Sequence, residues 1–417
     1  MTQAAPTRRA GRHLLQIPGP TNLPDRVLRA MDRPVIDHRG PAFRALTERL
    51  WPGLRRVFGC SGPVVIFPGS GSGAWEAALV NTMSPGDRML MCETGHFAVQ
   101  WARIAERLGL RPELLPGDWR HGADAEAIRA RLSAPDGGGF RAVCAVHNET
   151  STGCVSAIPE IRDAMDAAGH SALLMVDTIS SLGSMPYDAE AWGVDVTVGG
   201  SQKGLMLPPG LSFNAVSAKA LEAARHAALP RAYWDWDAVI EANEGGVFPY
   251  TPATNLLYGL AEALDMLAEE GLEAVFERHA RHGAATRAAV AAWGLETQCA
   301  DPAQASNSLT AVRMPEGHSA DAFRALVLER FDMSLGNGLS KLADRVFRIG
   351  HLGDFNDLSL IAALAGVEMG LCEAGVPYGA GGLDAALDSL MRRAPSAPHA
   401  APQTPATTPS MARTGQE

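Results

Sequence analysis

Lysine is nearly missing from this chain: of the 36 basic residues among 417, only Lys203, Lys219 and Lys341 are lysines. Any chemistry that needs an amine nucleophile therefore has three candidates, because arginine stays protonated and forms no Schiff base. Aromatic residues are sparse too, at 6%. No apolar run approaches the roughly 20 residues of a membrane span. Arg8, Arg9 and Arg12 near the start are not followed by the apolar core of a secretory signal. These absences predict a soluble protein with no membrane partner. The cysteines Cys60, Cys92, Cys144, Cys154, Cys299 and Cys372 form no CxxC pair, which predicts reduced thiols and a cytoplasmic location. HExxH is also absent. His279 and His282 stand at helical spacing in an Arg-rich stretch that reads as a solvated face, so no metal site is expected. Basic runs are lacking, and 36 basic against 46 acidic residues leave a net charge of −10. That balance disfavours nucleic acid as a partner.

What is present is an ordinary globular composition, 46% hydrophobic and 20% charged, in a chain long enough for about two to three domains. Short β-branched and apolar runs at Val64–Phe67, Arg88–Cys92, Ala142–Val146, Ala172–Asp177, Val194–Val198 and Leu211–Val216 alternate with helix-length amphipathic stretches. This alternation predicts an α/β layer with a mostly parallel, buried sheet. Several runs end in polar or glycine-rich turns, and ligands in such sheets sit beyond the carboxyl ends of the strands. Leu256–Ala292 reads as extended helices leading to a smaller α+β domain. The last 24 residues hold five prolines and no aromatic residue, a composition expected to be disordered. The expected organisation is a flexible start over 1–13, a large domain over 14–285, a small C-terminal domain over 286–391 and a disordered tail over 392–417.

Three features carry chemistry. Gly69-Ser70-Gly71-Ser72-Gly73 follows a strand and opens a helix, a place where backbone N–H groups and hydroxyls hold a phosphate. A plain tight turn would use the same glycines, and the segment matches neither the P-loop nor GxGxxG, which Ala74 breaks. Lys203 follows a buried run and the turn Gly199-Gly200-Ser201-Gln202. Desolvation there lowers an amine's pKa and makes it nucleophilic, whereas a surface lysine is the plainer alternative. Asp177 ends an apolar strand, where a buried acid needs a partner such as a protonated pyridine nitrogen, or else merely caps the following turn. Lys219 reads as solvated and Lys341 as a surface charge.

Six motifs in order, Pro18-Gly19-Pro20-Thr21-Asn22, Asp37-His38-Arg39, Gly71-Ser72-Gly73-Ala74-Trp75-Glu76, His147-Asn148-Glu149-Thr150-Ser151-Thr152-Gly153, Gly200-Ser201-Gln202-Lys203-Gly204 and Phe347-Arg348-Ile349-Gly350-His351-Leu352-Gly353, resemble the class V pyridoxal-phosphate aminotransferases. The resemblance runs from about Leu15 to about Val376 and is nearest to the serine–glyoxylate and alanine–glyoxylate group. Asp118-Trp119-Arg120-His121-Gly122-Ala123 leans towards the serine branch.

This resemblance implies a fold-type I enzyme with a mostly parallel seven-stranded sheet, a homodimer with active sites at the subunit interface, and pyridoxal 5'-phosphate as cofactor. Lys203 would be its Schiff-base lysine and Asp177 the partner of its ring nitrogen. Ser70, Gly71, Ser72 and Gln202 would hold its phosphate, Phe97 would stack on its ring, and Thr150 would contact its oxygen or the substrate. Arg348 would grip the substrate α-carboxylate, with Asn22 also on the substrate side, and Thr251 would reach the partner subunit's phosphate. Phe248 stands where relatives usually have a tyrosine that also contacts that phosphate. The implied reaction passes the amino group of a small amino acid, serine first and alanine or aspartate as alternatives, to glyoxylate. Within the fold a cysteine desulfurase or lyase is the rival, but those relatives usually place histidines where Gln202 and Phe97 stand. An oxidoreductase would need the glycine fingerprint broken at Ala74, and a binding module would not need Lys203.

Overall fold

The computed structural model describes residues 10–392; the expected disorder of residues 1–9 and of the tail from 393 on lies outside the described residues. Seven strands form the larger sheet, in the spatial order Val64–Gly69, Gly210–Val216, Val196–Gly200, Leu173–Asp177, Phe140–Val146, Arg88–Cys92, Arg111–Leu115. Neighbours pair in parallel except around Gly210–Val216, which is antiparallel to both strands beside it. Leu173–Asp177 and Val196–Gly200 are buried along their whole length, as central strands covered on both faces must be, so apolar runs mark them better than alternation. Arg111–Leu115 escaped the sequence reading. It is an edge strand with part-exposed side chains, and its Pro112 is tolerated because one side of an edge strand needs no partner. Gly199 and Gly200, expected in a turn, belong to the strand and pair with Phe213 and Ser212.

Helix Gly71–Thr82 packs on three strands of this sheet and is buried on nearly every side. It therefore lacks the one-sided polarity of a surface helix. The smaller sheet has five strands, in the order Leu14–Gln16, Met333–Asn337, Val346–Gly350, Leu309–Arg313, Glu296–Thr297. Its first strand comes from the far end of the chain and pairs in parallel with Met333–Asn337. Residues counted from sequence with the larger domain thus complete the smaller sheet, and His13 just before them bonds Asp332 and Ser334. Two large apolar clusters result, one running from Val27 to Val275 and one from Ala285 to Leu390, with a small third one around Trp119, Leu309 and Val346. Helix Leu272–Ala292 feeds both large ones. No helix among the described residues is long and apolar enough to cross a membrane.

His279 and His282 are not on a solvated face; both are fully buried. The arginines that precede each of them, Arg278 and Arg281, reach outward to Glu270 and Asp357, and their charge misled the sequence reading. His279 Nδ1 donates to Val275 O at 2.6 Å, and its Nε2 accepts from Gly353 N–H at 3.1 Å. Only the neutral ring satisfies both bonds. Burial, helped by the Arg278 charge, pushes this histidine down to about 3. The unfolded chain takes up a proton below about 6.5 and the folded chain does not, so stability is full above that value and is lost on acidification by about 1.4 kcal/mol per pH unit. His279→Gln is expected to flatten the fall in melting temperature between pH 7 and pH 5. Parallel wild-type and variant curves would place the acid sensitivity elsewhere.

Candidate active site

Beyond the carboxyl ends of the parallel strands lies a cavity of about 340 Å³, the position where open α/β sheets take their ligands. Four strand ends feed it. Val64–Gly69 leads into Ser70, Gly71 and Ser72, Phe140–Val146 into Asn148 and Thr150, Leu173–Asp177 into Asp177 and Ile179, and Val196–Gly200 into Gln202 and Lys203. Phe97, Gly19 and Pro20 complete the walls.

Lys203 is 7% exposed. Burial first, and the Arg348 charge second, push its amine down to about 7, so the neutral nucleophile is populated near neutral pH. Its stem lies against Gly19, which has a φ of +99° and where any side chain would collide with the lysine. Nζ donates to Pro18 O. Thr21 closes the segment down, its N–H donating to Gln202 O at 3.1 Å and its hydroxyl to Lys203 O at 3.3 Å. Lys219 and Lys341 are exposed and paired with Asp195 and Glu93. One of three lysines is thus placed for amine chemistry.

Asp177 is 3% exposed and accepts from Trp75 Nε1–H at 3.0 Å and Ile179 N–H at 2.7 Å. Burial still pushes its carboxyl up to about 7. A cation arriving from the cavity would restore the carboxylate. At another wall, the helix that starts at Gly71 is preceded by Ser70, and the first N–H groups of a helix have no carbonyl within it. A side chain at Gly71 would strike Ile179, so only glycine fits there, and Gly71 itself lines the cavity. Gln202 Oε1 is buried without a donor; turned over, its amide offers N–H groups to an anion.

Arg348 is 6% exposed. Nε donates to Asn337 O and Nη1 to Thr150 O, each at 2.8 Å. Both acceptors are neutral carbonyls, and burial pushes the guanidinium down to about 10. Its remaining N–H groups suit a carboxylate. Thr150 Oγ1 donates to Ser180 Oγ at 2.8 Å. Sequence reasoning missed Trp75 as the donor to Asp177 and Ile179 as a wall. Asn148 and Glu149 lay unremarked inside a quoted motif, although a buried acid in a strand-end turn was itself a signal.

The sequence model of the aminotransferase class-V family matches residues 13–343. The chain belongs to the class V aminotransferases. It is 49% identical over 399 residues to a serine–glyoxylate aminotransferase of Methylorubrum extorquens, covering 94% of this chain and 99% of that one. It is 41% identical to an L-aspartate–glyoxylate aminotransferase of Paracoccus denitrificans, covering 91% and 96%. Among solved structures, a ureidoglycine–glyoxylate aminotransferase from Bacillus subtilis superposes with a TM-score of 0.85 at 28% identity, covering 92% of this chain and 100% of that one. The fold is that of the fold-type I enzymes.

Class V aminotransferases use pyridoxal phosphate, and the residues of this cavity fit it. Gln202 has an unpartnered polar atom, Gly71 lines the cavity at a helix start, Asp177 could take a cationic ring nitrogen, and Lys203 could supply the amine. Three expected class V positions do not line this cavity: Arg348, which reaches its rim at the Thr150 carbonyl, Asn22 and Thr251. Asn22 is exposed, donates to Leu15 O at 3.0 Å and borders a separate hollow beside Arg12 and Asp25. Thr251 is exposed on the outer surface. Phe248, by contrast, is 3% exposed, with its ring 6.2 Å from those of Phe43 and Tyr250.

A ring in the core has no free edge for a neighbouring phosphate. Phe248→Tyr is therefore expected to bury an unpaired hydroxyl and cost about 1–3 kcal/mol of stability, with cofactor affinity unchanged. Tighter cofactor binding at undiminished stability, by equilibrium dialysis and thermal unfolding, would place the ring at the phosphate instead.

Proposed function

We propose that this aminotransferase moves the amino group of L-serine to glyoxylate, giving hydroxypyruvate and glycine. The observation that carries the reading is the pairing of a buried, near-neutral Lys203 with a buried Arg348 that binds only neutral carbonyls. The lining supports this donor: Lys203 is the one cation among the described residues that line the cavity, and Arg348, held beside it at Thr150, is committed to the α-carboxylate. A small uncharged side chain suits such a pocket, since an extra carboxylate would be buried unpaired. The name of the 49% identical relative supports the same donor and acceptor. Aspartate is the second reading, favoured by the name of the 41% identical relative.

Bound pyridoxal phosphate supplies the carbonyl carbon that carries the amino group and the electron sink that loosens the Cα proton. Ser70, Gly71, Ser72 and Gln202 hold its phosphate, and Asp177 keeps a proton on its ring nitrogen. Arg348 grips the α-carboxylate of donor and acceptor in turn. Lys203 Nζ, neutral near pH 7, takes the proton from the donor Cα and returns it on the other side of the transfer. Thr150 and Phe97 orient the reacting groups, and Pro18–Thr21 keep water off the amine.

The assembly in this reading is a homodimer. Ser70 and Ser72, which line the cavity, are exposed, and so is Thr251, as a residue that contacts a partner's phosphate has to be in the single chain. Six cysteines without a disulfide fit a reducing, cytoplasmic compartment.

Lys203→Ala is expected to abolish transamination and the visible cofactor band, while Lys219→Ala and Lys341→Ala retain both; an unaltered spectrum in the Lys203 variant would remove the mechanism. A screen of serine, alanine and aspartate against glyoxylate decides the donor. Serine is expected to give the highest kcat/KM, and a preference for aspartate would overturn the serine assignment while leaving the site intact.

A further inference from the structure

One buried carboxylate beside the cavity has no part in the chemistry above. Glu149 is fully buried in the short strand Asn148–Glu149, just before Thr150. Its Oε1 accepts from Phe97 N–H at 3.4 Å, Ser151 N–H at 3.0 Å and the Ser151 hydroxyl at 2.7 Å, and its Oε2 accepts from Ala98 N–H at 3.2 Å. Ser151 Oγ in turn accepts from His96 N–H at 2.9 Å. His96, Phe97 and Ala98 are the first three residues of helix His96–Arg107. That helix follows Gly95, which has no side chain to cap it and where a side chain would collide with Glu149. The orphan amides that a local N-cap residue usually satisfies are met here from fifty residues away.

Burial pushes the Glu149 carboxyl up, but all four of its partners are donors that pull it back, and this geometry favours the acceptor-only, ionised carboxylate in the field of a helix N-terminus. Its charge acts on Arg348, Lys203, Asp177 and Cys154. His96, on the other side of the capped turn, faces Arg103 and Arg348. Arg348 has no carboxylate hydrogen-bonded to it, and the next residue after Glu149 supplies the carbonyl that holds Nη1.

We propose that Glu149 is a positioning residue for this transamination: it caps the helix that carries Phe97, aligns that ring and the Arg348 fork on Lys203, and offsets the two positive charges. The proposal rests on the aminotransferase reading above. An anion near a lysine favours the charged amine, so removing it lets the Lys203 amine titrate lower still, below about 7. A glutamine in its place turns an N–H group against at least one backbone donor, whichever way the amide faces.

The test compares Glu149→Gln, Glu149→Asp and Ser151→Ala in the full-length protein. With the cofactor removed, carbamylation of Lys203 by cyanate is followed against pH by mass spectrometry, with Lys219 and Lys341 as internal controls. Glu149→Gln is expected to shift the Lys203 midpoint down by about half a unit or more, and to raise the donor KM of the loaded enzyme about tenfold through the disturbed fork. Glu149→Asp keeps the charge but not the reach, so its midpoint should stay while KM rises. Ser151→Ala should behave like Glu149→Asp. Wild-type midpoint and KM in Glu149→Gln would overturn the proposal, as would a lowered melting temperature alone. If Glu149→Gln fails to fold, wild-type KM in both other variants overturns it equally. Loss of the aminotransferase reading has a separate signature, because the wild-type protein would then transfer no amino group whatever stands at position 149.

Discussion

The carbonyl of Pro18 accepts the Lys203 amine, and that contact joins the start of the chain to the end of a central strand of the larger sheet. Taking an amine out of water disfavours its charge, and taking a carboxyl out of water does the same. Burial therefore moves Lys203 down and Asp177 up until both stand at about 7. The charged and uncharged states of the site lie close in energy, so whichever ionic group enters decides which state is occupied. Arg348 and Glu149 set the background of opposite sign against which that decision is made.

The fold brings these four groups together without placing any of them in a helix interior. Asp177, Arg348 and Glu149 lie on strands, and Lys203 belongs to a strand-end turn. Strand ends of a buried sheet are stiff, since each is paired on both sides, so the groups keep their separation without a web of side-chain bonds. The smaller sheet contributes through Arg348, which bonds to the larger unit at Thr150 and to its own sheet at Asn337. It thereby ties the two parts together at the substrate end.

Much of this was legible from residues alone, for physical reasons. Central strands are apolar throughout, so six of the seven announced themselves, and the scarcity of lysine singled out Lys203. The edge strand Arg111–Leu115 was not legible, because its part-exposed face carries polar residues. His279 and His282 were misread because a helix that is buried on one side can still carry arginines at the rim. Asn22 and Phe248 show the limit of carrying a position over from a resemblance, since neither exposure nor the direction of a ring can be read from a motif. The role of Trp75 depends on a contact across 102 residues, which no local pattern encodes.

The strand Leu14–Gln16 has a consequence for the order in which the molecule assembles. Its partner strand begins at Met333, and the neighbouring pair His13 and Asp332 is 319 residues apart in sequence. A ribosome has to make nearly the whole described chain before that strand can dock, and closing so long a loop is among the slowest steps a chain takes. Thr21 holds one end of the segment over Lys203 through Gln202 O and Lys203 O, while its other end continues from the strand that needs Met333–Asn337. The segment that shelters the reactive nitrogen is therefore synthesised early and fixed at both ends only once the smaller sheet has been made.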